Sequence, residues 1–317
     1  MEETRVPVYL ITGFLESGKT SFLSFTLQQD YFQVEGKTLL ILCEEGEEEY
    51  DEEALKKSNT VVEVIDSEEE LTPERLAAMD ILHQPERVII EYNGMWLVSN
   101  FEKMQLPTGW GVEQQITCVD GSTFQIYMAN MKSIFMDMIK NTDMVIFNRC
   151  KKEDPLPTYR RGIKVANQRA EVIFEDEEGE LGDIFQDEMP FDMNAPVIEI
   201  LPEDYGIWFV DAMDHPENYE GKTVKFKARV MKPRGMGSKF FVPGRTAMTC
   251  CADDTTFLGY VCKSAYAPKL TPGEWVEVTA KVGIEKRNEY QGEEGIVLAA
   301  EHVEQCDPLE DEMVYFN

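Results

Sequence analysis

The chain has 317 residues, of which 43% are hydrophobic and 10% aromatic, enough for two packed domains and too much for a disordered polymer. Sixty acidic side chains against 30 basic ones give a formal charge of −30, which repels nucleic acid and anionic membrane surfaces over most of the exterior. Seven cysteines behind a start, Met1-Glu2-Glu3-Thr4-Arg5, without an export pattern suggest a reducing cytoplasm, and no apolar run approaches the ~18 residues of a membrane span.

The first apolar run, Val6-Pro7-Val8-Tyr9-Leu10-Ile11, predicts a strand, and Ser21–Gln29 predicts a helix. Between them stands Gly13-Phe14-Leu15-Glu16-Ser17-Gly18-Lys19-Thr20, which fits G-x-x-x-x-G-K-[ST] in the strand-loop-helix context this phosphate-binding pattern requires. Gly13 and Gly18 let the chain curl so that amides of the loop, from Glu16 and Ser17 to Ser21, face a phosphate at a helix amino terminus. Lys19 would reach the β- and γ-phosphates and Thr20 would place its hydroxyl on Mg²⁺.

Thr38–Cys43 reads as the next strand, so two strands and a helix in close succession imply a parallel sheet with right-handed crossovers. Glu44 follows at that strand's carboxyl end, the ligand side of such a sheet, inside an acidic stretch (residues 44–80) holding 15 acidic and three basic side chains. After a strand at Val61–Ile65, Thr72 and Pro73 form a helix start, and Arg87–Glu91 gives a buried strand ending on a carboxylate placed for Mg²⁺ or the attacking water. Gln115–Asp120 and Asp143–Arg149 are further strands, separated by a Met128–Ile139 stripe at helical spacing that reads as core packing. Residues 163–167 and 170–174 close the first domain, and the ten carboxylates of residues 171–192, with Pro190 and Pro196, mark a linker.

Short strands dominate from Tyr205 onward: Val224–Met231, Lys239–Val242, Thr246–Cys250, Leu258–Lys263, Val276–Ile284 and Ile296–Val303. They predict a small barrel of OB type at 191–317, after an α/β phosphate-loop domain at 1–190 with a parallel sheet and helices on both faces. Residues 222–251 carry eight basic side chains and no acidic one, a solvated or docking face, or alternatively a polyanion site. Cys250-Cys251-Ala252-Asp253-Asp254 with Cys262 could form a zinc-type site, although adjacent residues of a strand face opposite sides; buried structural thiols are the other reading.

With these residues in place, the first part of the chain resembles the CobW branch of the CobW/HypB/UreG class of phosphate-loop GTPases. The loop is similar to that branch's G-F-L-G-x-G-K-T-T-x-L, Glu44-Glu45-Gly46-Glu47 and Asp51 to its N-E-x-G-E…D, Glu91–Gly94 to its E-x-x-G, Val119-Asp120 to its V-D, and Asn148-Arg149 to its N-K-x-D. The resemblance implies GTP hydrolysis with Mg²⁺ on Thr20 and Glu44 or Glu91, base contacts from Asn148 and Arg149, and coupling to metal delivery. Lys151 stands where the family's base-reading aspartate belongs, leaving ATP open beside GTP, with Asp154 as a substitute acceptor; Ile65–Glu69 replaces the metal-binding C-x-C-C. Through Tyr219-Glu220-Gly221-Lys222, Arg245 with Cys250-Cys251-Ala252-Asp253-Asp254, and the ending Pro308 to Tyr315, the second domain resembles the carboxyl-terminal domain of YcgQ-type proteins, which accompany bacterial permeases. The expectation is an Mg²⁺-dependent GTPase of the metal-homeostasis class, with Zn²⁺ as a further metal. The alternative is a nucleotide-gated, poorly hydrolysing adaptor or regulatory subunit for a metal-dependent client or a permease.

Overall fold

The computed structural model describes residues 6–44, 46, 48–181, 189–249 and 255–315. Two compact units emerge, Met1–Leu156 with Ala166–Ile184, and Pro157–Val165 with Phe185–Asn317. The sequence suggests a single cut after residue 190, whereas here residues 157–165 group with the second unit. Among the described residues no helix is long and apolar enough to cross a membrane.

The first unit is built on β1 (Val6–Thr12), β2 (Thr38–Leu42), β3 (Thr60–Val64), β4 (Arg87–Glu91), β5 (Trp110–Asp120), β6 (Met144–Asn148), β7 (Glu171–Asp176) and β8 (Gly179–Glu180). They form one sheet in the order β3-β2-β4-β1-β5-β6-β7-β8, parallel except for the antiparallel β7–β8 pair. The connecting helices are α1 (Lys19–Leu27), α2 (Glu52–Lys57), α3 (Pro73–His83), α4 (Val98–Glu102), α5 (Phe124–Asn130) and α6 (Lys132–Ile139), while α7 (Leu156–Ala166), between β6 and β7 in the chain, groups with the second unit over residues 157–165. Every residue of β4 is buried, as a parallel strand covered on both faces requires. Leu23 and Leu27 of α1 pack on Ile11, Leu40, Ile89 and Ile146 on one face. Phe124 of α5 and Phe135 of α6 stack edge-on at 5.3 Å on the other, where Phe124 also meets Phe147 at 5.0 Å.

Local rules account for several boundaries. Thr72 caps α3 by accepting from the Arg75 amide at 3.2 Å, with Pro73 at the first helical position, as its sequence predicts. In the methionine stripe Phe135, Met138 and Ile139 are buried while Met128, Met131 and Ile134 are half-buried, and the helix breaks into α5 and α6 at Met131, whose φ of −133° is not helical. Residues 163–166 belong to α7, and 170–174 lead into β7.

In the second unit, β9 (Ile198–Glu199) and α8 (Tyr205–Asp214) precede β10 (Thr223–Met231), β11 (Phe240–Met248), β12 (Thr255–Gly259), β13 (Val261–Lys263), β14 (Trp275–Lys286), β15 (Glu294–Gln305) and β16 (Met313–Val314). β10 pairs antiparallel with β11 and β14, β14 with β15, and β11 with β13; the parallel β13–β15 pair closes the ring into a five-stranded barrel of OB type. Two expected strands, Lys239–Val242 and Thr246–Cys250, are one strand here: β11 runs through Pro243 and changes partners along its length. The expected strand at 258–263 is instead divided between β12 and β13. The helix α8 lies where only strands are expected, and its Tyr205, Trp208, Phe209 and Val210 enter the barrel's apolar core.

Candidate functional site

Because β1 lies between β4 and β5, the loop that leaves it emerges at the sheet's carboxyl edge with Glu91 on one side and Asp120 on the other. The loop holds three residues at positive φ: Gly13 at 140°, Glu16 at 60° and Gly18 at 91°. A Cβ on Gly18 would stand 2.6 Å from Asn148 Nδ2, so the loop closes against β6 only without a side chain there. Gly94, three residues beyond β4, does the same from the other side, where a Cβ would stand 2.5 Å from the Gly13 carbonyl oxygen.

Lys19 is 3% exposed and its Nζ donates to the Gly13 and Phe14 carbonyls, each at 3.0 Å, and to Glu44 Oε2 at 2.7 Å. Thr20 Oγ1 donates to Glu91 Oε1 at 2.8 Å, and the Tyr50 hydroxyl donates to Glu91 Oε2. Ser21 donates to Glu48. Three residues of the acidic stretch, Glu44, Glu48 and Tyr50, thus rest on the side chains that sequence reasoning assigns to phosphate and Mg²⁺. Burial pushes the Glu91 carboxyl above its ordinary range; the hydrogen bonds from Tyr50 and Thr20 and the charge of Lys19 oppose that shift, and Glu44 adds to it. Burial, then Glu91 itself, pushes the Tyr50 hydroxyl up, so it stays protonated and acts as a donor.

On the other side, Asn148 Nδ2 donates to the Ser17 carbonyl at 2.7 Å. Arg149, at φ 54°, donates from Nη1 to the Glu16 carbonyl at 2.9 Å and to Asp120 Oδ2 at 2.6 Å, clamping the loop to β5. Burial pushes the Asp120 carboxyl up, but hydrogen bonds from Ser122 and Arg149 outweigh it and hold the group below its ordinary range. Lys19, Thr20, Glu44, Glu48, Glu91 and Asp120 are among the residues lining a cleft of about 860 Å³.

Two atoms of this framework are buried without a hydrogen-bond partner among the described residues: Ser17 Oγ and Asn148 Oδ1. Buried polar atoms are nearly always paired, so such orphans beside a phosphate loop fit a site that a polar ligand completes. The oxygen donors Thr20 and Glu91, already in contact with each other, suit a hard cation such as Mg²⁺. Glu44, expected at the same ion, instead meets Lys19.

Other expected sites are not brought together. Lys151 gives its amide to Asp154 Oδ2 at 2.8 Å, a local turn contact, and neither residue lines the cleft. Cys250 and Cys251 lie outside the described residues. Cys262 is fully buried in the barrel core, where desolvation pushes its thiol up to about 12. Among the described residues no group of three His, Cys, Asp or Glu side chains is arranged to hold a metal ion. Much of the basic stretch at 222–251 is satisfied locally, through the Lys225–Glu277 pair at 2.8 Å, Lys232 on the Ala267 and Leu270 carbonyls, and a buried Arg245. Sequence reasoning missed Tyr50, Glu48 and the Asp120–Arg149 clamp. Of these, Asp120 had a signal, as the last residue of a strand beside the loop.

Residues 7–174 match the CobW/HypB/UreG nucleotide-binding domain and residues 180–316 the DUF1980 C-terminal domain. Among solved structures, the chain is similar to the Zn(II)-bound YjiA GTPase from E. coli, with 16% identity over 82% of this chain and 89% of that one and a TM-score of 0.43. It is also similar to the hydrogenase maturation factor HypB from Archaeoglobus fulgidus, with 16% identity over 55% and 83% of the two chains and a TM-score of 0.40. HypB from Helicobacter pylori in complex with nickel is 15% identical over 55% and 80%, with a TM-score of 0.34. No curated protein matches the chain. The match over residues 7–174 spans more than half of the 317 residues and coincides with the loop, Glu91, Asp120 and Asn148 described above: the chain belongs to the CobW/HypB/UreG family of nucleotide-binding proteins.

Proposed function

We propose that the first unit binds a purine nucleoside triphosphate, GTP by family membership, and hydrolyses it by in-line attack of water on the γ-phosphate. The observation that carries this reading is Lys19, a buried cation held by two loop carbonyls and one carboxylate, Glu44, at the edge of an open cleft. An incoming phosphate competes with Glu44 for Lys19, because both are anionic oxygen acceptors for the same ammonium. Loop amides from Gly13 to Ser21 and Lys19 then stabilise charge as it develops. Thr20 and Glu91 would hold Mg²⁺, with Glu44, once released, free to order the attacking water or complete the ion's shell. Mg²⁺, when bound, neutralises charge on the β- and γ-phosphate oxygens. Asn148 and Arg149 tie the loop to the strand ends where a base would sit. Family membership supports a metallochaperone-type setting, in which turnover is coupled to a metal site, a metal-dependent protein client or a permease subunit. Phosphate release from GTP by the full chain tests the reading: Lys19→Ala should abolish it, and release unaffected by that substitution would refute it.

A second reading, a nucleotide-gated adaptor with negligible turnover, draws support from the same contact. With Glu44 on Lys19 and Tyr50 on Glu91, residues of the acidic stretch already satisfy the groups that hydrolysis needs free. Nucleotide affinity with no burst or steady release of phosphate would favour it.

A further inference from the structure

We propose that Glu175, at the end of β7, reads the base of the bound nucleotide and makes the site specific for guanine. This rests on the nucleotide-binding reading above and deepens it. Recognition of guanine needs an acceptor for its N1–H and N2–H donors, and the position from which the family's aspartate would act holds Lys151, a cation with no acceptor. The sheet supplies a carboxylate from another strand. In the parallel ladder Asp120 is opposite Asn148, and Phe147 is opposite Phe174, so the next step along β6 and β7 sets Glu175 beside Asn148. Residues in register share a face, and those two positions back, Ile146 and Ile173, are likewise paired. The Cys150 amide donates to the Glu175 carbonyl at 2.9 Å, one residue past the regular register, so the strands stay joined beyond Asn148 with Arg149, at φ 54°, bulged between them.

Asn148 and Glu175 line a common cleft of about 1180 Å³ with Gly18 and Ser21 of the phosphate loop and α1, so the base side and the phosphate side adjoin. Phe25 and Tyr31, 65% and 80% exposed, border the same cleft and offer apolar ring faces for a purine. The second, independent sign of a ligand is Asn148 Oδ1, buried and without a partner among the described residues while its amide nitrogen is spent on Ser17. Burial, with the Glu180 carboxylate second, pushes the Glu175 carboxyl up, and two N–H donors at its oxygens would offset that shift. Asp176 borders the same cleft, but its Oδ1 already accepts from the Glu178 amide at 2.7 Å.

The test compares GTP with xanthosine triphosphate, which carries a carbonyl acceptor at C2 where guanine carries an amino donor. Calorimetric affinities are measured for both, and for tripolyphosphate, on the full chain, on Glu175→Gln and on Asp176→Asn. The parent should prefer GTP, and Glu175→Gln should lose about tenfold or more in GTP affinity while gaining for xanthosine triphosphate, because an amide donates where the carboxylate accepted. Tripolyphosphate should bind parent and variant alike, and Asp176→Asn should keep the parent's preference. A GTP to xanthosine triphosphate ratio unchanged by Glu175→Gln, or shifted by Asp176→Asn instead, would overturn the assignment of Glu175 alone. A parent chain that binds neither tripolyphosphate nor GTP would overturn the phosphate-site reading and this inference with it.

Discussion

Lys19 in the first unit and Arg245 in the second are both buried cations, and they are satisfied in different ways. Arg245 in the barrel is 2% exposed and spends both terminal nitrogens on backbone carbonyls, those of Pro202, Asp311 and Met313, which no ligand can displace without unfolding the strands around them. Lys19 is 3% exposed, and its third partner is the side chain of Glu44 at a cleft wall. Burial and charge alone therefore do not mark a functional residue. What marks it is a partner that can leave, as Glu44 can from Lys19.

The largest expected effect tests the barrel half of that contrast. Arg245→Ala leaves three carbonyls without their donor and should destabilise the second unit by on the order of 3–5 kcal/mol, read as a fall in its denaturant midpoint. Lys19→Ala should cost far less stability, since Glu44 can turn into the cleft. Equal losses would erase the distinction. Next, Glu44→Gln removes the carboxylate that competes with phosphate and should raise tripolyphosphate affinity by roughly three- to tenfold in a low-salt titration. A fall in affinity would mean that Glu44 helps to hold the anion.

Two tyrosines sharpen the comparison at lower energy. Tyr205 donates to the Leu258 carbonyl at 3.0 Å inside the barrel, so Tyr205→Phe should lower stability by about 1 kcal/mol. Tyr50→Phe removes a donor to Glu91 and should act mainly on Mg²⁺-dependent nucleotide affinity, with little change in the melting midpoint. The smallest effect concerns pH. Glu91 holds its proton more tightly folded than unfolded, so above the ordinary glutamate value of 4.5 the unfolded chain binds fewer protons and stability declines as pH rises toward the raised value. Glu91→Gln should remove that decline in melting curves recorded in chelator; an unchanged pH slope would show that Glu91 does not titrate there.

The phosphate loop was legible because its eight residues are contiguous and its neighbours are a strand and a helix. The family and the parallel sheet followed, since β1, β2 and β4 each read as apolar runs ending at the ligand edge. The clamp from Arg149 to Asp120 and the contact from Tyr50 to Glu91 were not, because they join residues 29 and 41 positions apart and only the strand order makes them neighbours. The barrel was legible from alternation in β14, with every second residue from Val276 to Val282 buried. The helix α8 was hidden because its run Tyr205–Asp214 is apolar except for Asp211 and Asp214, too few polar positions to reveal a helical period in ten residues. The continuity of β11 is hidden by Pro243, which marks a break in most strands but here sits where the strand exchanges partners.

The central claim is that triphosphate takes the place of Glu44 on Lys19. Calorimetric titration of the full chain with a non-hydrolysable GTP analogue and Mg²⁺ tests it most directly. The account predicts saturable one-to-one binding that Lys19→Ala eliminates and Glu44→Gln strengthens. Binding of equal strength in the parent and Lys19→Ala would contradict it.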